Sequence, residues 1–277
     1  MLPFLLIQTR DDDAVVADEL RSTAELGGFG PGELVQLQLD RIFAEDPRPA
    51  TGEPEPGDEA DSPLASSEQQ APPALDWPAI LQAHSGVILC GSPFNSSDPE
   101  ESKSALQRRV EAELRRMLDE VVRRDYPFFG ACYGVGTLGL HQGAVVDRTF
   151  SEEAGPIRVT VTPQGRQDPL LADVEPVFQA FVGHKEAVRT LPPGAVLLAG
   201  GEACPVQMFR IGANMYATQF HPELDQRGLL HRLRVYANHG YYDPENAQER
   251  FDAVRAAEVT QPQRILANFR RRYARSA

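Results

Sequence analysis

The chain has 277 residues, of which 42% are hydrophobic, and its 40 acidic and 27 basic side chains give a formal net charge of −13. This apolar fraction is enough for the core of one large α/β domain, whereas the acidic balance argues against binding to nucleic acids or anionic membranes, since phosphate contacts need a basic face. The three cysteines are widely spaced and form no disulfide or zinc pattern, and we expect neither a signal peptide nor a membrane span. These features predict a protein of the reducing cytoplasm.

The first ninety residues alternate predicted strands with a predicted helix. Apolar runs at residues 3–8 and 86–90 predict buried strands, and an alternating pattern at residues 33–39 predicts another. Residues 11–26 have helical periodicity, and Gly27-Gly28 would end that helix. Strands separated by helices pair in parallel through right-handed crossovers, and the ligands of such sheets collect at the carboxyl ends of the strands.

An acidic, proline-rich segment interrupts this alternation at residues 44–75. It holds eight carboxylates and seven prolines against one basic residue, Arg48, and has no aromatic residue. Such a segment buries too little apolar surface to offset the entropy lost on ordering. We expect a disordered insertion after the second strand, acting as a solvated spacer, and the alternative is an acidic segment that attracts a basic partner.

A long amphipathic helix is predicted after the third strand. Asp98 offers an N-cap, Pro99 suits the first helical position, and Glu101 places an acid at the third. One apolar stripe follows, formed by Leu106, Val110, Leu114, Met117 and Val121. This helix leads into an apolar run at residues 126–129, which predicts the next strand.

A cysteine between small residues follows that strand, in the sequence Gly130-Ala131-Cys132-Tyr133-Gly134. The pattern is typical of a strand-to-helix turn that carries a nucleophile, because the residues two before and two after must be small where chain segments approach closely. The positive end of the following helix would favour the thiolate of Cys132 over the thiol. The alternative is a buried cysteine in a glycine-rich bend.

The last half of the chain has a different pattern. Closely spaced strands are predicted near residues 143–147, 156–161, 176–182, 195–200, 205–211 and 214–219. Residues 225–277 are predicted to be a helical segment, with docked positions at Leu229, Leu230, Leu233, Tyr236, Ile265, Phe269 and Tyr273. We expect a single α/β domain over residues 1–277, with a mostly parallel central sheet, helices on both faces and a small antiparallel extension.

A histidine and a glutamate follow the strand predicted at residues 214–219. His221 is suited to accept the thiol proton of Cys132, and Glu223 to fix the imidazole tautomer and stabilise its cation. Both Cys132 and His221 come directly after predicted strands, so the sheet would bring them to one edge. The sequence predicts a Cys-His-Glu triad.

Several further motifs support a resemblance to a known family. They are residues 204–209 (Cys-Pro-Val-Gln-Met-Phe), residues 218–223 (Thr-Gln-Phe-His-Pro-Glu), the turn at residues 191–195 and Gly91-Ser92-Pro93. With the Cys132 turn, they resemble class I glutamine amidotransferases of the Cys-His-Glu type and are similar to the glutaminase domain of GMP synthase. The resemblance spans residues 80–225 and implies a flavodoxin-like three-layer fold.

The resemblance also implies roles for residues around the triad. The backbone N–H groups of Ser92 and Tyr133 would form the oxyanion hole, with Gly91 in the same loop. His184 falls in a loop that lines the family's substrate pocket, so it is a candidate for substrate binding or else part of a polar turn. Gly136 stands where the family has a substrate-binding glutamine, which puts glutamine itself in question as the substrate.

We expect neither a metal nor another cofactor. His84, His141, His231 and His239 have no cysteine or carboxylate at the spacing of metal ligands. Cys90 and Cys204 adjoin apolar strands and are expected to be inert core thiols.

The predicted function is that of a cysteine amide hydrolase. A small amide, glutamine or a γ-glutamyl compound, would form a thioester with Cys132 and release ammonia, and a separate synthetase subunit would be the recipient if ammonia is delivered. One alternative is a γ-glutamyl hydrolase that acts on a glutamylated amine or peptide. The other is a catalytically silent regulatory subunit with the same fold.

Overall fold

The structure is a computed structural model that describes residues 1–44, 74–236 and 242–276. Residues 45–73, nearly all of the predicted acidic insertion, lie outside the described residues. No helix in the described part of the chain is long and apolar enough to cross a membrane.

The described residues form eight α-helices and eleven strands. The strands are β1 (Phe4–Gln8), β2 (Leu34–Gln38), β3 (Val87–Leu89), β4 (Phe128–Ala131), β5 (Val145–Asp147), β6 (Glu152–Val161), β7 (Val177–His184), β8 (Ala187–Thr190), β9 (Val196–Gly201), β10 (Met208–Ile211) and β11 (Met215–Thr218). The helices are α1 (Asp13–Gly27), α2 (Leu39–Phe43), α3 (Trp77–Gln82), α4 (Ala105–Arg124), α5 (Tyr133–His141), α6 (Gln226–Val235), α7 (Ala247–Ala256) and α8 (Pro262–Tyr273).

One nine-stranded mixed sheet organises the molecule, in the order β2-β1-β3-β4-β11-β10-β9-β6-β7. The pairs from β2 to β11 are parallel, and those from β11 to β7 are antiparallel. Strands β5 and β8 form a separate two-stranded antiparallel sheet. The predicted α/β class, with a parallel centre and an antiparallel extension, is confirmed.

Helices pack on both faces of the sheet because the central strands are apolar on both sides. In β1, Leu5 and Ile7 belong to a core that also contains residues of α4 and α5. Phe4 and Leu6 point to the opposite core, which contains Phe269 of α8. Successive strand side chains alternate between faces, so a continuous apolar run produces two cores and three layers.

The long helix begins later than the sequence predicts. Residues Glu100–Ser102 form a single 3-10 turn, and α4 starts at Ala105 after Ser104, whose hydroxyl accepts from the N–H of Gln107. The Asp98–Pro99 signal was wrong as the start of α4, because Ser104 provides a second N-cap at the point where the apolar stripe begins. Strand β8 and the short helices α2 and α3 were also missed.

Candidate active site

Cys132 lies at a sharp turn between β4 and α5. Its backbone has φ 52° and ψ −90°, a strained conformation for a residue with a side chain. A Cβ atom at Gly130 would lie 2.9 Å from the backbone of Gly134, so the chain crosses itself too closely for any side chain there. The Cys132 N–H donates to the carbonyl of Thr218 in β11 at 2.8 Å, which fixes the turn against the neighbouring strand. The predicted turn geometry is present.

His221 follows β11 at the same edge of the sheet. Its N–H donates to the carbonyl of Phe181 at 2.9 Å, and its imidazole Nδ1 lies 2.6 Å from Glu223 Oε1. The Cys132 side chain is close enough for its charge to act on the imidazole. His221 and Glu223 are buried, whereas Cys132 is partly exposed. The fold brings together the three residues predicted as a triad.

The charges of the group stabilise one another. Burial alone would lower the pKa of His221, but the negative charges of Glu223 and Cys132 outweigh it and raise the pKa to about 9. Burial alone would raise the pKa of Glu223, but His221 and Arg232 lower it to about 2. A protonated imidazole beside an ionised Glu223 is therefore the favoured state near neutral pH.

A buried ion network supports Glu223 from behind. Arg232 of α6 lies 3.5 Å from Glu223 Oε1 and 2.7 Å from Glu19 Oε1 of α1. Glu19 also accepts from Arg10 at 3.1 Å and from Gln8 at 2.8 Å. This network was not predicted from the sequence, since Glu19 carries no signal that separates it from the solvated acids of a surface helix.

The two predicted oxyanion donors flank Cys132. Ser92 lies in the loop after β3 and lines two pockets together with Cys132. Tyr133 is the first residue of α5, where backbone N–H groups have no intrahelical acceptor. Gly91 packs against the triad, because a Cβ there would lie 2.9 Å from His221 Cε1 and 3.7 Å from Cys132 Cβ.

A polar pocket opens on one side of Cys132. Its lining includes Phe94, Gly183, Glu186 and Gln219 besides Ser92 and Tyr133. His184 also lines it, but its ring nitrogens already contact the Glu186 carbonyl at 3.0 Å and Glu152 Oε2 at 2.9 Å. Both contacts tie the imidazole to the protein rather than directing it at a ligand.

The ring of His184 also belongs to a group compatible with a metal ion. Ligand atoms of Glu152, His184 and Cys204 lie within 4.8 Å of one another. Direct hydrogen bonds already join His184 and the Gln207 amide to Glu152, at 2.9 and 2.6 Å. No sequence motif indicated this trio, whose members lie on β6, β7 and the segment between β9 and β10.

Gly136 lies one turn into α5, beside the pocket wall. A Cβ at this position would lie 2.8 Å from Glu186 Oε1 and 2.8 Å from Ser96 Oγ. The space that a side chain at residue 136 would occupy is thus filled by a carboxylate from the β7–β8 turn.

Sequence comparison relates the chain to a known family. The family model "Glutamine amidotransferase class-I" matches residues 74–229. GMP synthase (glutamine-hydrolysing) of Salmonella typhimurium is 34% identical over 149 residues, which are 50% of this chain and 25% of the relative. The corresponding protein of Shigella boydii is 34% identical over 162 residues, 55% of this chain and 28% of the relative. The chain therefore matches only about a quarter of the length of these relatives.

Solved structures agree at the level of the fold. A glutamine amidotransferase from Thermotoga maritima superposes with a TM-score of 0.65 at 17% identity, covering 98% of this chain and 97% of that one. A glutamine amidotransferase from Methylobacillus flagellatus gives 0.62 at 18% identity, covering 100% and 97%. With more than half of its residues matched by the family model, the chain belongs to the class I glutamine amidotransferase family.

Proposed function

We propose that the protein hydrolyses the side-chain amide of glutamine or of a γ-glutamyl compound through a thioester on Cys132. The observation that carries the proposal is the contiguous Cys132–His221–Glu223 group at the strained turn, with Glu223 2.6 Å from the ring. Family membership and the similarity to glutamine-hydrolysing GMP synthases support the same chemistry.

The reaction divides into two halves. The thiolate of Cys132 attacks the amide carbon, and the N–H groups of Ser92 and Tyr133 stabilise the oxyanion that forms. The His221 imidazolium donates its proton to the leaving nitrogen, the C–N bond breaks and a thioester remains. Neutral His221 then takes a proton from water, whose oxygen attacks the thioester carbon and releases the acid and the Cys132 thiolate.

A larger leaving group than ammonia is the second candidate. A pocket on the side of Cys132 that contains His221 is walled by Leu224, Leu229 and Leu233. Such a wall would accommodate the apolar part of an amine, as in a γ-glutamyl hydrolase. For both candidates we also propose that the released ammonia or amine passes to a separate synthetase. The family relationship motivates this proposal.

The test is ammonia release from L-glutamine measured beside amine release from γ-glutamyl alkylamides of increasing chain length. We expect hydrolysis of at least one of the two classes, abolished by Cys132→Ala and retained by Cys90→Ala as the matched control. Preference for glutamine supports the glutaminase, and preference for the longer amides supports the γ-glutamyl hydrolase. Absence of turnover with both would contradict the proposal and leave the silent regulatory subunit.

A further inference from the structure

The carboxylate of Glu186 is buried beside the pocket that contains Cys132. Glu186 is 8% exposed and lies in the turn between β7 and β8. Its Oε1 accepts from the N–H of Ser96 at 2.7 Å, and its Oε2 accepts from the N–H and the hydroxyl of Ser97 at 2.7 and 2.6 Å. These donors fix both oxygens in position, and each carboxylate oxygen retains capacity for a further hydrogen bond.

The charge of Glu186 lies beside neutral hydrogen-bond donors, and Lys185 lines the same pocket. All three donors are neutral groups. A buried charge is costly unless it is paired, so a ligand that brings a positive group to this carboxylate would lower that cost. The pocket is therefore suited to a cationic group close to the carboxylate.

A second polar group in the same pocket also requires a donor. Gln219 is 1% exposed, and its amide oxygen has no hydrogen-bond partner among the residues that the structure describes. Gln219 and Glu186 line one pocket with Cys132 and Tyr133. Two acceptors, one of them charged, match a group that has several N–H donors and a positive charge.

Gly136 allows this arrangement. A Cβ atom at position 136 would lie 2.8 Å from Glu186 Oε1, which is too close. The carboxylate therefore reaches the pocket wall only because residue 136 is glycine. The glycine at position 136 of α5 and the position of the Glu186 carboxylate in the β7–β8 turn therefore depend on each other.

We propose that Glu186, assisted by the amide oxygen of Gln219, binds the α-ammonium group of the substrate's amino-acid portion. This inference rests on the proposed function, and it narrows the substrates to amides that carry a primary ammonium group a short alkyl chain away from the scissile carboxamide. Glutamine and γ-glutamyl amides meet this condition, and their deamino counterparts do not.

The test is protection of Cys132 from alkylation, which needs no turnover. The rate of Cys132 labelling by iodoacetamide is measured at rising L-glutamine and, separately, at rising glutaramate, which lacks the ammonium group. In Glu186→Gln we expect the half-protecting concentration of L-glutamine to rise by about 10- to 100-fold, the range of a charge-assisted hydrogen bond. That of glutaramate should stay within about a factor of two.

Two further variants keep the test decisive. Glu202→Gln makes the same chemical change on an exposed residue and should leave both values unchanged. Gln219→Met removes the second acceptor and leaves the contacts of Ser96 and Ser97 with Glu186 in place. It should weaken protection by L-glutamine but not protection by glutaramate. This variant therefore tests the inference even if Glu186→Gln does not fold.

The outcomes separate the inference from the proposed function. If Glu186→Gln weakens protection by L-glutamine and by glutaramate equally, Glu186 only anchors the loop at Ser96 and Ser97. Unchanged protection by L-glutamine in this variant would also overturn the inference. If L-glutamine and γ-glutamyl amides fail to protect Cys132 in the unmodified protein, the proposed function itself fails.

Discussion

Three cysteines in one chain have three different surroundings. Cys132 is partly exposed directly after β4, and its charge acts on the imidazole of His221. Burial raises the pKa of the Cys204 thiol to about 12 and that of Cys90 well above its ordinary value. A thiol is unreactive while protonated, so these two should stay inert at any pH well below their raised pKa values.

Selective alkylation follows from this difference. Between pH 7 and about pH 9 we expect a glutamine-like alkylating analogue to label Cys132 much faster than Cys90 or Cys204, since only Cys132 combines access with a neighbouring imidazolium. Peptide mass mapping after short exposure measures the three rates. Comparable labelling of all three would remove the basis for Cys132 as the nucleophile.

Glu223 is expected to act through the charge of His221. In Glu223→Gln the amide still contacts the ring but no longer stabilises its cation, so turnover should fall on the order of 10- to 10,000-fold with the fold retained. Steady-state kinetics and a thermal melt measure the two quantities. Turnover within about a factor of two of the unmodified protein would mean that His221 needs no carboxylate.

At the scale of elements, parallel strands assemble the site. β4 and β11 are neighbours, with Ala131 opposite Thr218, so the residues that follow them emerge at the same edge. The sequence predicted this juxtaposition, because both motifs follow apolar runs and ligands collect at carboxyl ends of strands. It could not predict that α1 and α6 meet behind Glu223, since contacts between helices distant in the chain depend on packing rather than on local pattern.

The contact of α1 with α6 gives a stability prediction. Glu19→Gln leaves Arg10 and Arg232 buried with reduced compensation, so the free energy of unfolding should fall by roughly 3 kcal/mol or more. Glu25→Gln, on the exposed side of α1, should change it by less than about 1 kcal/mol. Urea unfolding of both variants provides the comparison, and equal effects would contradict a stabilising role for the buried network.

The start of α4 illustrates where local signals compete. Asp98-Pro99 and Ser104 both have the chemistry of a helix N-terminus, and the sequence alone does not rank them. In the structure Pro99 is extended, with ψ 141°, and Ser96 and Ser97 before it donate to Glu186. These long-range hydrogen bonds to Glu186 thus hold the loop before Pro99 in a non-helical conformation. The hydrophobic periodicity of the sequence contains no information about such a contact.

At the scale of the whole molecule, the chain combines the α/β domain with an acidic segment. Composition predicts that residues 44–75 contribute no core. Residues 45–73 lie outside the described residues, whereas Leu75 packs against the core, so the prediction was wrong at that end. Alternating strands and helices made the order of most elements predictable. The position of Glu186 at the pocket could not be predicted, because it depends on the absence of a side chain at Gly136. That residue lies fifty positions earlier in the chain.

Deletion of residues 47–73 tests this division. Because a spacer adds no apolar contacts and loop-closure entropy varies slowly with length, we expect the melting temperature and turnover to stay close to those of the full chain. Differential scanning calorimetry and the amidase assay give the two values. A large loss of either would assign the segment a structural or substrate-covering role.

Direct observation of the acyl-enzyme tests the central claim, that Cys132 carries amide hydrolysis through a thioester. The protein is mixed with L-glutamine or a γ-glutamyl amide, quenched with acid during turnover and analysed by peptide mass spectrometry. We predict a γ-glutamyl adduct on the peptide that contains Cys132, absent in Cys132→Ala and lost on treatment with hydroxylamine. Turnover by the unmodified protein that continues undiminished in Cys132→Ala would contradict the account.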